Sequence, residues 1–112
     1  FYPMWKVRGE LGIDGLCREL KHAYDGTEDV YVHFDMDILG GAGPAPGDIL
    51  GELAEPMGMS DYEIIRLAHE IGLRGLPGMS FICIQTGSMV IYRTIVYIIA
   101  FLIAGIAISR QT

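Results

Sequence analysis

The chain has 112 residues, enough for one small domain that hides about 65% of its unfolded surface, and its net charge is −6. That acidity argues against nucleic acid and anionic membrane surfaces as partners and is compatible with a cationic substrate. All of the acidic residues precede position 71, and the last third is almost uncharged and strongly apolar. A domain of this size has trouble covering so much apolar surface alone, so the expectation is a portion of a longer protein, or a subunit that needs neighbours.

The opening residues show no signal-peptide pattern, because Lys6, Arg8 and Glu10 interrupt any apolar run. Residues 14 to 24 place Leu16, Leu20 and Ala23 on one helical face, with Asp14 as N-cap and Asp25-Gly26 as the closing turn. The run from Val30 to Leu39 is apolar without polar alternation, which predicts a strand buried on both faces of a parallel sheet. A long loop rich in Gly and Pro follows, from Gly40 to Gly58, a length usual for functional or disordered segments.

Ser60-Asp61-Tyr62-Glu63 is a capping box, with Ser60 at the N-cap and Glu63 at the third helical position. The helix it opens carries Ile64, Leu67, Ala68 and Ile71 inward and is expected to stop between Gly72 and Gly75, with a turn at Pro77-Gly78. Residues 79 to 84 read as a second buried strand, Gln85 to Ser88 as a loop, and Met89 to Ile108 as a final apolar helix. The alternation of helices and buried strands defines an α/β class with a mainly parallel sheet. Cys17 and Cys83 lack CxxC spacing and read as buried thiols of a reducing compartment, which places the chain in the cytoplasm.

Asp35 and Asp37 stand out in that first strand. Positions i and i+2 of a strand share a face, and two carboxylates amid Val, Tyr, Phe, Met and Ile repel each other and cost desolvation energy. They also lie near the carboxyl end of the strand, where α/β sheets place their ligand crevices. From spacing alone three readings stay open: hydrated groups beyond the strand, ligands of a hard divalent metal, or hydrogen-bonding groups. Oxygen donors of this kind suit Mn or Mg, with Ni or Fe when histidines join them.

The wider string resembles the arginase/agmatinase (ureohydrolase) family. That family writes a strand ending Ser-Phe-Asp-Ile-Asp, a loop with Ala-Pro-Gly, then Pro-Glu-Pro-Gly-Gly-Leu-Thr before a helix with an early Glu. This chain has His33-Phe34-Asp35-Met36-Asp37, then Ala45-Pro46-Gly47, then Ala54-Glu55-Pro56-Met57-Gly58-Met59-Ser60 and Glu63. The resemblance covers nearly the whole chain. It implies that residues 1–112 are the C-terminal portion of a single ureohydrolase-like domain, a three-layer αβα fold with a mainly parallel sheet, truncated on its N-terminal side.

The same resemblance implies a binuclear centre of two divalent ions, manganese first, nickel or iron otherwise. Asp35 would bridge the two ions and Asp37 would bind one of them. The implied reaction is hydrolysis of a guanidino C–N bond by a bridging hydroxide. The family's remaining ligands lie upstream, so the 112 residues alone are expected to be inactive. Family members form trimers or hexamers, which implies a homo- or hetero-oligomer, with no nucleic acid and no membrane as partner.

Three departures from the family bear on substrate. Gly40 and Gly41 stand where the family has Asp-Pro, and the loop is one residue longer around Gly43-Pro44. Gln85 falls where the family's guanidinium-binding Glu belongs, which removes a charged, bidentate clamp. Gln85 still offers one acceptor to a small guanidine, and His33, on the face of Asp35, is the second candidate substrate-binding residue. No residue is assigned as a catalytic acid or base. The alternative function is a catalytically inactive structural subunit of a ureohydrolase hetero-oligomer. His22 and His69 read as surface or interface residues.

The uncharged stretch from Thr94 to Ser109 would be about 24 Å long as a helix, short of a hydrocarbon core of roughly 30 Å. Taken alone the stretch reads as a candidate membrane anchor, and a membrane-anchored protein is the third reading. The resemblance implies instead that it covers the sheet with one side and meets a neighbouring helix or subunit with the other.

Overall fold

A computed structural model describes residues 1–39, 58–82 and 89–111. It shows helices around a small parallel sheet of two strands, in agreement with the α/β class. The N-terminal part is a broken helical run: α1 (Met4–Lys6), a π-helical turn (Val7–Leu11), α2 (Gly12–Glu19) and α3 (Lys21–Tyr24). Gly12, at φ +65°, sits at the first break, a conformation that costs little only for glycine. The Asp25-Gly26 turn falls where expected: the Asp25 amide closes on the Lys21 carbonyl at 2.8 Å and Gly26 takes φ +77°.

The expected face of this run is only partly observed. Leu20 packs against the core, but Ala23 is exposed, and α2 buries Gly15 and the expected Cys17, which is 2% exposed. The break at Leu20 ends the simple periodicity of a single helix. α2 lies against α4, whose Arg66 reaches the Cys17 sulfur at 3.6 Å and Asp14 at 3.5 Å. Asp14 is thus an ion-pair partner inside the first turn and not the cap.

β1 (Val32–Asp35) pairs in parallel with β2 (Met79–Ile82), His33 opposite Ser80 and Asp35 opposite Ile82. α4 (Asp61–Arg74) crosses between them, and α5 (Met89–Ser109) follows β2. The capping box is complete: Ser60 Oγ accepts from the Glu63 amide at 3.2 Å, and Glu63 Oε1 accepts from the Ser60 amide at 2.9 Å. Arg8 adds a second tie at 2.8 Å from Glu63 and donates to the Gly58 carbonyl, fastening the N-terminal run to the head of α4. Gly75, at φ +90°, ends the helix.

The core forms on one face of the sheet. Phe34 and Phe81 stack with centroids 5.3 Å apart, and Phe34, Met36 and Leu39 join Ile64, Ala68 and Ile71 of α4 and Ile91, Ile98 and Leu102 of α5. α4 and α5 approach until their backbones touch. A Cβ on Gly72 would strike the Leu102 carbonyl, and one on Gly105 would lie 2.8 Å from the Leu73 amide nitrogen.

Two expectations are corrected. The first strand ends at Asp35 and not at Leu39, and among the described residues it is covered on one face only. His33 and Asp35 are exposed on the face opposite Phe34, with Ser80 and the half-exposed Ile82 beside them. Hydrophobic content made the run look buried throughout, but the helices of the described residues cover one side only.

α5 runs as predicted and buries the stripe Ile91, Ile98, Leu102 and Gly105. Its other side is apolar and open, with Val96 62% and Ile103 60% exposed. Ile91–Ser109 is long and apolar enough to cross a membrane, by length and composition, and 28% of the span is buried in this fold.

Candidate metal centre

The site grows from the way β1 stops. Asp35 is its last residue, in extended conformation, and its Oδ1 accepts the Asp37 amide at 3.1 Å. An Asp that captures the amide two residues on bends its own backbone into a turn. Met36–Ile38 therefore forms a single 3₁₀ turn that drops Met36 into the core. The turn ties the Asp35 side chain to the Asp37 backbone, and because β1 ends at Asp35 the two residues are not successive same-face positions of one strand.

Their environments differ. Asp35 is exposed, while Asp37 is half-buried and its Oδ1 is a buried acceptor without a hydrogen-bond partner among the described residues. A buried, unpartnered carboxylate oxygen is costly, and cation binding is one way to offset that cost. Just beyond, Leu39 and Met59, both buried, form an isolated parallel bridge, and the Met59 amide donates to the Ile38 carbonyl at 2.8 Å. The chain thus leaves and returns at one point beside the Asp37 turn.

The donor chemistry suits a hard divalent ion, and the orphaned oxygen fits one. Two carboxylates are nevertheless only part of a coordination set. Among the described residues no group of three or more His, Cys, Asp and Glu side chains gathers that could hold an ion. Gln85, the second strand beyond Ile82 including Cys83, and the Ala45-Pro46-Gly47 and Glu55 segment lie outside the described residues.

His33 stands on the Asp35 face of β1, with its Nδ1 2.6 Å from Ser80 Oγ across the strand pair. Sequence reasoning placed His33 near the carboxylates but did not single out Ser80, whose partnership depends on the parallel register. His22 pairs with Glu19 at 2.8 Å on the surface, and His69 sits edge-on to Phe101, so neither joins the carboxylates. Burial pushes the Cys17 thiol above its ordinary pKa, against a downward pull from Arg66, so it stays protonated at neutral pH.

Sequence reasoning also missed a groove of about 420 Å³ between Tyr62, Ile65 and His69 of α4 and Tyr97 and Phe101 of α5. The signal was available as the i, i+4 pair Tyr97 and Phe101. The groove is not lined by Asp35 or Asp37. No family model matches the chain, and no curated protein matches it.

Proposed function

We propose that this chain is the carboxylate-pair portion of a binuclear metal-dependent hydrolase of the ureohydrolase type, acting on a C–N bond of a small guanidino compound. The observation that carries the reading is the Asp35–Asp37 turn at the carboxyl end of β1, with one carboxylate oxygen buried and unpartnered among the described residues. The ordered resemblance running from His33 to Glu63 supports it, as does the βαβ order of β1, α4 and β2. In the whole protein the sheet would continue with further parallel strands, and a second helical layer would cover the His33 and Asp35 face to complete the three-layer fold.

Asp35 and Asp37 would hold the ions, manganese before nickel or iron. When bound, the ions supply an activated water at neutral pH. The chain's own contribution is to fix the carboxylates: the Asp37 amide holds Asp35 in place, and the buried Met36 and Leu39 anchor the turn from below. The remaining ligands belong upstream. Gln85 would offer the substrate a neutral acceptor in place of the family's charged clamp for agmatine or arginine. The apolar outer side of α5 is suited to a subunit contact within a cytoplasmic trimer or hexamer.

The second reading, a catalytically silent subunit of a hetero-oligomer, is favoured by the same Gln85. Elemental analysis of the full-length protein separates the two. About two transition-metal ions per subunit, lost together in Asp35→Ala plus Asp37→Ala, are expected for the enzyme. No bound metal after reconstitution would leave the silent subunit in front.

A further inference from the structure

The peptide unit between Gly58 and Met59 is held from both sides. Arg8 Nη2 donates to the Gly58 carbonyl at 2.8 Å, and the Met59 amide donates to the Ile38 carbonyl at 2.8 Å. A trans peptide is planar and points its carbonyl and its N–H in opposite directions, so the guanidinium on one side fixes the donor on the other. Gly58 and Met59 are buried, which leaves the carbonyl little recourse to water once Arg8 is removed. A charged donor on the carbonyl also polarises the N–H and strengthens its bond to Ile38.

Ile38 closes the 3₁₀ turn that carries Asp37, and Leu39 after it pairs with Met59 in the parallel bridge. Two longer hydrogen bonds hold the turn from within, the Asp37 amide to Asp35 at 3.1 Å and the Leu39 amide to the Met36 carbonyl at 3.3 Å. Arg8 itself is placed by its neighbour Val7, 2% exposed, and by its second bond, to Glu63 Oε1 at 2.8 Å. That oxygen is fixed in turn by the Ser60 amide. A partly exposed ion pair adds little to stability by itself, so the bond to the buried carbonyl is the more telling of the two.

We infer that Arg8 is a positioning residue of the Asp35–Asp37 site: through the Gly58–Met59 peptide and the Ile38 carbonyl it sets the turn that aims the Asp37 carboxylate, and so sets the affinity for a divalent ion. The inference rests on the metal-site reading and deepens it. It makes the N-terminal helical run part of the frame of the site.

The test uses full-length protein with manganese(II) as the probe. Binding measured by calorimetry is expected to weaken about tenfold in Arg8→Ala, and Arg8→Lys, which keeps a charged donor, should recover most of that loss. In the metal-free protein, hydrogen exchange of the Met59 and Asp37 amides should quicken about tenfold in Arg8→Ala, while the Ala68 and Ile71 amides within α4 keep their rates. Arg66→Ala is the control, because it removes the Arg66 pairs with Asp14 and Glu70 on the same helix and leaves the Arg8 bonds to Gly58 and Glu63 in place. It should leave manganese affinity unchanged. Should Arg8→Ala not fold, Arg8→Gln, which keeps a neutral donor, carries the same comparison with a smaller expected loss.

Unchanged manganese affinity in the Arg8 variants of a protein whose wild type binds the ion sinks this inference alone. An equal loss in Arg66→Ala also overturns it, because the effect is then one of general stability. A wild type that holds no manganese removes the metal-site reading and this inference with it.

Discussion

The α4–α5 crossing and the open face of the β1–β2 pair lie on opposite sides of one small core, and they obey different rules. At the crossing, Gly72 and Gly105 are required because backbone meets backbone, and Ala68, Ile98 and Leu102 fill what space remains. On the open face, His33 and Asp35 are exposed, and Asp37 beside it keeps a buried oxygen unpartnered among the described residues. The first region is shaped by volume. The second carries groups whose cost makes sense when they have chemistry to do. Side chains that packing does not explain are the ones to examine for function.

Substitutions can break or sharpen this contrast. The largest effect is expected from Leu102→Ala, which opens a cavity between α4 and α5 and should cost about 3 kcal/mol of stability in urea unfolding. Gly72→Ala comes next, at about 2 kcal/mol, because its methyl meets the Leu102 carbonyl and the helices must separate. A melting temperature unchanged by Gly72→Ala would show that the two backbones do not touch. Ser60→Ala removes half of the capping box and should cost about 1 kcal/mol, visible as a lower thermal midpoint by circular dichroism. Asp37→Asn on the other face is expected to leave stability within about 0.5 kcal/mol of wild type, or raise it slightly, while weakening manganese binding measured by calorimetry. A large destabilisation by Asp37→Asn would place that residue with the packed region and end the comparison.

Much of the scaffold was legible in the chain. The Ser60–Glu63 box, the inward Ile64, Ala68 and Ile71, the Asp25-Gly26 turn and the span of α5 all depend on residues a few positions apart. Within the candidate site, the presence of His33 on the face of Asp35 was legible for the same reason. The turn that ties Asp35 to the Asp37 amide was not, because hydrophobicity continued through Ile38 while a single side-chain-to-backbone bond stopped the strand. The burial of Cys17 was legible from its residue type, but the exposure of Ala23 was not, because it depends on the break at Leu20 and on the side of α2 that meets α4.

The sequence by itself determined the order of helices and strands, the capping box of α4 and the inward stripe of that helix. All of these follow from contacts within one or two turns of backbone. Tertiary structure alone decided which face of β1 stays open, that Ser80 stands opposite His33, and that α4 and α5 meet through Gly72 and Gly105. Those outcomes depend on register and on the approach of elements distant in the chain. Local spacing carries no record of either, because the partner that completes each contact lies tens of residues away.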